Sequence, residues 1–195
     1  MSILFINGSP NKKGNTARLA AALLGSRDYE TLNLTDYRIN VYGQRLAGDQ
    51  FDEVMAKIKA ADTIVIGSPL YWHNICGSVR TLLDRFYGPA ASGSLRGKTL
   101  YFLFQGAAPE QWMLDAGKFT MQRFAKLYGL SWGGMATTEG EARALFKKVG
   151  AKIAPMIRRA HPQKAEEHVS GQIFSDPFSR QGRFGSASSS RFPRS

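Results

Sequence analysis

Short apolar runs alternate with longer segments of helical pattern along the first 160 residues. Runs at residues 3–6, 63–66 and 99–104 are bounded by turn residues, which is typical of buried strands. Two weaker segments, residues 29–34 and 130–138, follow the same pattern, the second of them less clearly. The chain is therefore predicted to contain five strands.

A helix is predicted after each strand, from apolar residues spaced at helical intervals. The predicted helices span residues 17–24, 51–60, 75–86, 111–128 and 141–159. Strands that alternate with helices in this way form parallel sheets covered on both faces. The fold class is thus predicted to be α/β, a doubly wound five-stranded parallel sheet.

The composition changes beyond residue 160. Residues 170–195 are rich in Ser, Gly, Arg and Phe and have no sustained period, which is typical of disorder. We therefore predict one domain over residues 1–160 and a disordered basic tail over 161–195. A sticky arm and an artefact of cloning or reading frame also fit the tail.

The overall composition favours a cytoplasmic protein with one domain. The chain has 195 residues, of which 43% are hydrophobic, enough for a sizeable core. No apolar run approaches the length of a membrane span, and the N-terminus lacks the pattern of a signal peptide. The single cysteine, Cys76, excludes an internal disulfide or a cysteine-cluster metal site and agrees with a reducing compartment.

The net charge of +11 is spread along the chain, with +6 in residues 1–150 and +5 in residues 151–195. No basic cluster on one helix face and no nucleic-acid-binding motif accompanies it. Nucleic-acid binding is therefore not expected. Attraction of small phosphorylated molecules is expected.

The first candidate site is the turn that joins the first strand to the first helix, residues 8–16. Backbone N–H groups at the start of a helix, together with the helix dipole, favour an anion. The turn adds two flexible glycines, hydroxyl and amide donors, and two lysines: Gly8, Ser9, Asn11, Lys12, Lys13, Gly14, Asn15 and Thr16. These residue types suit a phosphate group, although an ordinary surface turn with an N-cap is the alternative.

Two familiar phosphate motifs do not fit this turn. Lys13 stands where the P-loop needs its second glycine, and Asn15 follows Gly14. Pro10 stands where the dinucleotide motif needs its second glycine. A loop that wraps one monophosphate is the interpretation that is left.

Two further loops, residues 68–74 and 105–110, also follow predicted strands. In an open parallel sheet, ligands bind at the carboxyl ends of the strands. The first of these loops carries Pro69, Leu70, Tyr71 and Trp72, which suit the face of a flat heterocycle. The alternative is that Tyr71 and Trp72 pack in the core or contact a partner.

Two motifs follow the first and third predicted strands. They are Ile6-Asn7-Gly8-Ser9-Pro10 with Gly14-Asn15-Thr16, and Gly67-Ser68-Pro69-Leu70-Tyr71-Trp72 with Asp84-Arg85-Phe86. Together they resemble the NAD(P)H-dependent FMN reductase family of the flavodoxin-like fold, which includes quinone reductases, azoreductases and iron-sulfur flavoproteins. The resemblance covers residues 1–150. It implies the strand order 2-1-3-4-5, FMN as cofactor and NAD(P)H as co-substrate.

The resemblance also implies a role for each matching residue. Ser9, Lys13, Asn15 and Thr16 would hold the FMN phosphate. The isoalloxazine ring would be bordered by Pro69, Leu70, Tyr71, Trp72 and Asn74, and at its other edge by Gly106 and Ala107. Residues 34–50 contain no cysteine, so the iron-sulfur centre of some relatives is excluded.

The expected activity is transfer of hydride or electrons through FMN to a quinone, an azo or nitro compound, or free flavin. No catalytic side chain is required, because the flavin carries the chemistry. A flavodoxin-like electron carrier or redox sensor is the alternative, and a phosphate-binding module without redox chemistry is a third. The sequence does not distinguish NADH from NADPH.

The resembling family commonly binds its flavin at a dimer interface, which implies a homodimer here. Asp84 and Arg85 would form a structural pair or face the second subunit, and Trp72 and Trp112 would offer it a surface. A donor role for His73 is left open. Burial of Cys76 as a small apolar residue is favoured over a redox role.

Overall fold

The computed structural model describes residues 1–145. Within that range the strands are β1 (Ile3–Asn7), β2 (Glu30–Asn33), β3 (Thr63–Tyr71), β4 (Asn74–Ile75), β5 (Thr99–Gln105) and β6 (Ser131–Ala136). The helices are α1 (Asn15–Leu24), α2 (Phe51–Ala60), α3 (Gly77–Phe86) and α4 (Gln111–Tyr128). Residues 139–145 begin a further helix. The rest of that predicted helix, up to residue 159, and the predicted tail lie outside the described residues.

Five of the strands form a parallel sheet in the order β2-β1-β3-β5-β6. Counted without β4, this is the predicted order 2-1-3-4-5, so the predicted fold is confirmed. The two-residue strand β4 is an addition to the prediction, and it pairs antiparallel with β3. The order reverses beside β1, so the loops that follow β1 and β3 meet at the same edge of the sheet.

The strands are buried on both faces, because their apolar side chains alternate between two core clusters. Leu4 and Ile6 of β1 face one cluster and Phe5 faces the other. The first cluster is completed by α2, α3 and α4, and the second by α1 and the helix that begins at residue 139. None of the helices in residues 1–145 combines the length and the apolarity needed to cross a bilayer.

The third strand was predicted to end at residue 66 and to be followed by a loop, and this prediction is wrong. β3 continues to Tyr71, and after two turn residues the chain returns as β4 to form a β-hairpin. Pairing with β5 continues as far as Pro69↔Gln105, which supports the longer strand. Pro69 is tolerated because it lies beyond the last pair between β1 and β3, Asn7↔Gly67.

One predicted alternative was a structural pair of Arg85 with Asp84. The structure shows Arg85 paired with Asp49 instead. Its Nη1 lies 2.6 Å from Asp49 Oδ2 and donates a hydrogen bond of 2.9 Å to the carbonyl oxygen of Asn40. The guanidinium also lies 4.4 Å from the centre of the Phe51 ring. Arg85 therefore fastens the irregular segment before α2 to α3.

We expect Asp49→Asn to destabilise the protein at neutral pH and to lose this effect in acid. Burial alone would raise the pKa of Asp49, but hydrogen bonds from Arg85 and from the N–H groups of Asn40 and Phe51 outweigh it and lower the pKa. A carboxylate whose pKa is lower in the folded protein than in the unfolded one stabilises the fold. This stabilisation is fully present above the unfolded-state pKa of about 3.9, and it is lost as the pH falls through the folded-state pKa. Urea unfolding of both proteins at pH 7 and pH 3 measures the difference.

The exposed Asp28 provides the control for this prediction. Asp28→Asn removes an equal charge far from Arg85, so its urea midpoint should follow that of the wild type at both pH values. An Asp49→Asn midpoint lowered equally at pH 7 and pH 3 would show that the carboxylate charge is not what fastens the segment.

Candidate functional site

The loop between β1 and α1 is held in shape by its own side chains. Asn7 Oδ1 accepts a hydrogen bond from the N–H of Ser9 at 3.1 Å, and Ser9 Oγ accepts one from the N–H of Asn11 at 3.2 Å. Asn11 Oδ1 in turn accepts from the N–H of Lys13 at 3.1 Å. Ser9 and Asn11, both predicted to touch the ligand, therefore also build the loop.

The first turn of α1 leaves its N–H groups available. Its N-cap residue is Gly14, and no side chain caps it. The N–H groups of Asn15, Thr16 and Ala17 thus have no acceptor within the helix, and the helix dipole adds partial positive charge at this end. This arrangement fits a phosphate group, as the sequence predicted.

The two lysines of the loop differ in their partners. Lys12 Nζ lies 2.7 Å from Asp36 Oδ1, and the hydrogen bond from Lys12 lowers the pKa of Asp36 despite some desolvation. Lys13 forms no ion pair with any of residues 1–145. Lys13 is therefore the lysine whose charge is left for a bound anion.

Gln105, at the end of β5, connects the two polar residues at the start of α1. Its Oε1 lies 3.5 Å from Asn15 Nδ2, and its Nε2 lies 3.5 Å from Thr16 Oγ1. Because the fully buried Thr16 hydroxyl accepts from Gln105, its own hydrogen is left to donate. Gln105 was not predicted as a site residue, although a polar residue that closes an apolar strand was the available signal.

The hairpin of β3 and β4 carries the predicted aromatic residues at its tip. Trp72 and His73 form the turn, with φ angles of 46° and 64°. This left-handed backbone conformation is rare for residues other than Gly and Asn. Trp72 is 93% exposed and Tyr71 is 49% exposed. Such strain is common at binding sites, and the exposed rings agree with a surface that contacts a ligand or a partner.

Gly106 lies beside Leu70 of the hairpin. A Cβ placed on Gly106 would lie only 3.1 Å from Leu70 Cβ. Ala107 follows it and is exposed, whereas Asn74 is half-buried, with its Oδ1 accepting a hydrogen bond from its neighbour's N–H at 2.8 Å. The loops after β1, β3 and β5 therefore converge at one edge of the sheet.

The tip of the hairpin also contacts the start of α4. The rings of His73 and Trp112 lie 5.4 Å apart, centre to centre. Trp112 is fixed by a 2.9 Å hydrogen bond from its Nε1 to Glu110 Oε2. His73 therefore has a packing role, and a role toward a ligand stays a prediction.

We expect His73→Gly to be more stable than His73→Ala by about 1 kcal/mol. Both variants remove the contact with Trp112, but only glycine adopts a positive φ without steric cost. At an ordinary position the order is reversed, since glycine loses more backbone entropy. Urea unfolding of the two variants measures the difference, and an alanine variant as stable as the glycine variant would refute a strained turn.

Beneath the hairpin, polar groups join it to the loop between β1 and α1. Ser68 Oγ accepts a hydrogen bond from the N–H of Cys76 at 2.9 Å, and Ser78 Oγ donates one to the carbonyl oxygen of Gly8 at 2.8 Å. The Cys76 sulfur lies 3.4 Å from the same carbonyl oxygen. Cys76 is 3% exposed, so it is buried as predicted.

The sheet order is that of a flavodoxin-like protein, with the loop after β1 and the aromatic hairpin of β3 and β4 at one edge of the sheet. The sequence model for NADPH-dependent FMN reductases matches residues 1–115. The chain belongs to this family of flavin oxidoreductases. The predicted family and its FMN cofactor are thereby confirmed.

One curated relative is an iron-sulfur flavoprotein of Archaeoglobus fulgidus, 37% identical over 99 residues, which are 44% of this chain and 48% of the relative. The chain spans about half the length of the curated relatives it matches. Cysteine thiolates are the usual ligands of iron-sulfur clusters. With Cys76 as its single cysteine, this chain cannot itself supply such a ligand set.

Solved structures agree with the fold. The Trp repressor binding protein of Bacillus subtilis superposes with a TM-score of 0.62 at 18% identity, covering 75% of this chain and 99% of that one. An FMN-dependent NADH-azoreductase of Bacillus anthracis superposes with a TM-score of 0.56 at 16% identity, covering 80% and 99%. At these identities the likeness supports the architecture alone.

Proposed function

We propose that the FMN phosphate binds in the loop between β1 and α1. The observation that carries this proposal is the uncapped start of α1 beside Lys13, which has no ion-pair partner among residues 1–145. The side chains around that point are donors, as a phosphate needs. The proposed phosphate contacts are Ser9, Asn11, Lys13, Gly14, Asn15 and Thr16.

The isoalloxazine ring is proposed to lie between the hairpin and the loop after β5. The hairpin offers aromatic surface, and Gly106 keeps the facing loop close to Leu70. The proposed ring contacts are Pro69, Leu70, Tyr71, Trp72, Asn74, Gly106 and Ala107. The role of these residues is to position the ring and to exclude water from one of its faces.

The proposed reaction is oxidation of NAD(P)H with reduction of a quinone, an azo or nitro compound, or free flavin. FMN bound between these residues would supply the chemistry of hydride transfer from the nicotinamide to the acceptor. The protein holds the two flat reactants in turn against the same exposed surface near Trp72. No acid-base side chain is needed for this exchange.

A homodimer and a cytoplasmic location complete the proposal. Trp72 and Trp112 are 93% and 53% exposed, and aromatic residues are enriched at subunit interfaces. The free thiol of Cys76 agrees with a reducing compartment. Sedimentation velocity of the FMN-loaded protein tests the dimer, and a monomer at micromolar concentration would remove it.

The decisive experiment for the activity is a visible absorption spectrum. Protein is mixed with FMN, desalted and then treated with NADPH or NADH without oxygen. Retained flavin bands that bleach within seconds support a reductase. Bands that bleach only when a separate reductase is added indicate an electron carrier, and a folded protein that retains no flavin refutes FMN binding by this chain.

A further inference from the structure

A cavity lies between α3 and α4, away from the proposed flavin contacts. Its volume is about 440 Å³, which is within the range of small-molecule sites. Along α3, the first residue that lines the cavity is Arg80. Along α4, the first is Thr120. The proposed flavin contacts lie instead at the opposite ends of these helices, near Cys76 and Trp112.

Four of the ten described residues that line this cavity are aromatic. Phe124 and Tyr128 of α4 pack against each other with ring centres 4.9 Å apart. Across the opening, Tyr42 and Tyr87 form an edge-to-face pair at 5.6 Å, and both are more than half exposed. Flat aromatic surfaces that face open space suit a flat aromatic ligand.

Two arginines of the lining have no partner among residues 1–145. Arg80 is half-buried and Arg123 is exposed, and neither guanidinium forms a hydrogen bond or ion pair with a described residue. Asp84 also lines the cavity, one helical turn after Arg80, yet its carboxylate forms no ion pair with either arginine. The positive charges of both guanidinium groups are therefore available to an anion in the cavity.

We propose that this cavity binds a flat aromatic anion. Its rings lie against Phe124 and Tyr87, and its acidic group is held by Arg80 and Arg123. Asp84 favours a ligand that carries a hydrogen-bond donor as well, and it disfavours one with several negative charges. This proposal does not depend on the proposed flavin chemistry, because the two sites share no residue.

The test uses two probes of the same shape, 2-naphthoate and the neutral 2-naphthamide. Affinities are measured by ligand-observed NMR on the FMN-loaded full chain. The wild type is expected to bind the anion more tightly than the amide. In the double variant Arg80→Gln/Arg123→Gln, the affinity for naphthoate should fall about tenfold, as expected for loss of charge-assisted hydrogen bonds. The affinity for the amide should change less than twofold.

Lys126→Gln is the matched control, since it removes a positive charge from the same end of α4 but does not line the cavity. It should leave both affinities unchanged. Thr120→Trp, which fills the cavity, should abolish binding of both probes. A loss of naphthoate affinity in Lys126→Gln equal to that in the double variant would overturn the proposal, because the effect would then be one of overall charge.

Two further outcomes would also overturn it. One is a wild type that binds neither probe. The other is a double variant whose sedimentation coefficient falls while probe binding is unaffected, which would make this surface an interface between copies of the chain.

Discussion

Gly8→Ala is expected to destabilise the protein by about 2 kcal/mol and to remove most of its affinity for FMN. A Cβ at Gly8 would lie 2.4 Å from Val79 Cγ2 and 3.0 Å from the carbonyl oxygen of Gly67. Val79 is fully buried, so it has little room to move, and the loop must shift instead. The shift would move the loop's donors out of hydrogen-bond distance of the phosphate.

Gly77→Ala is the control for this prediction. Gly77 begins α3 close to the same loop, but a Cβ there meets no atom within 4 Å. Alanine is also the better helix former, so this variant should be as stable as the wild type or slightly more stable. Urea unfolding and FMN titration of both variants give the comparison, and equal behaviour of the two would show that Gly8 does not pack closely.

Most of the fold could be predicted from the sequence because local pattern determined it. The observed bounds of α2 and α4 are those predicted, and the apolar runs of β1 and β5 lie within the observed strands. The hairpin could not be predicted in this way. Its strand is extended by pairing with β5, about 35 residues away, and its turn uses Trp72 and His73 rather than the Asn and Gly that mark such turns.

The candidate site was predictable to the extent that its residues adjoin each other in sequence. The loop between β1 and α1 could be predicted, because a short strand, two glycines and a helix start all lie within residues 3–24. Gln105 was missed because it acts through contacts far along the chain, with Asn15 and Thr16. The partner of Arg85 was missed for the same reason, since Asp49 reaches it from an irregular segment.

Thr16→Val is expected to weaken FMN binding about tenfold, or about 1.4 kcal/mol. The shape of the side chain changes little. Thr16 is fully buried at the start of α1, and its hydroxyl accepts from Gln105 Nε2, which leaves its hydrogen available to a proposed phosphate oxygen. Valine keeps the volume but removes that donor. It also leaves the Gln105 amide without its acceptor, which adds to the loss.

Two controls separate the phosphate from the rest of the ligand. Riboflavin lacks the phosphate, so its affinity should be the same in wild type and in Thr16→Val. Thr63→Val changes a buried threonine at the opposite end of the sheet, where β3 begins, and should not change FMN affinity. Fluorescence titration with both flavins measures these affinities. If Thr16→Val weakened riboflavin as much as FMN, the hydroxyl would act on the ring or on the fold, and the start of α1 would not be the phosphate site.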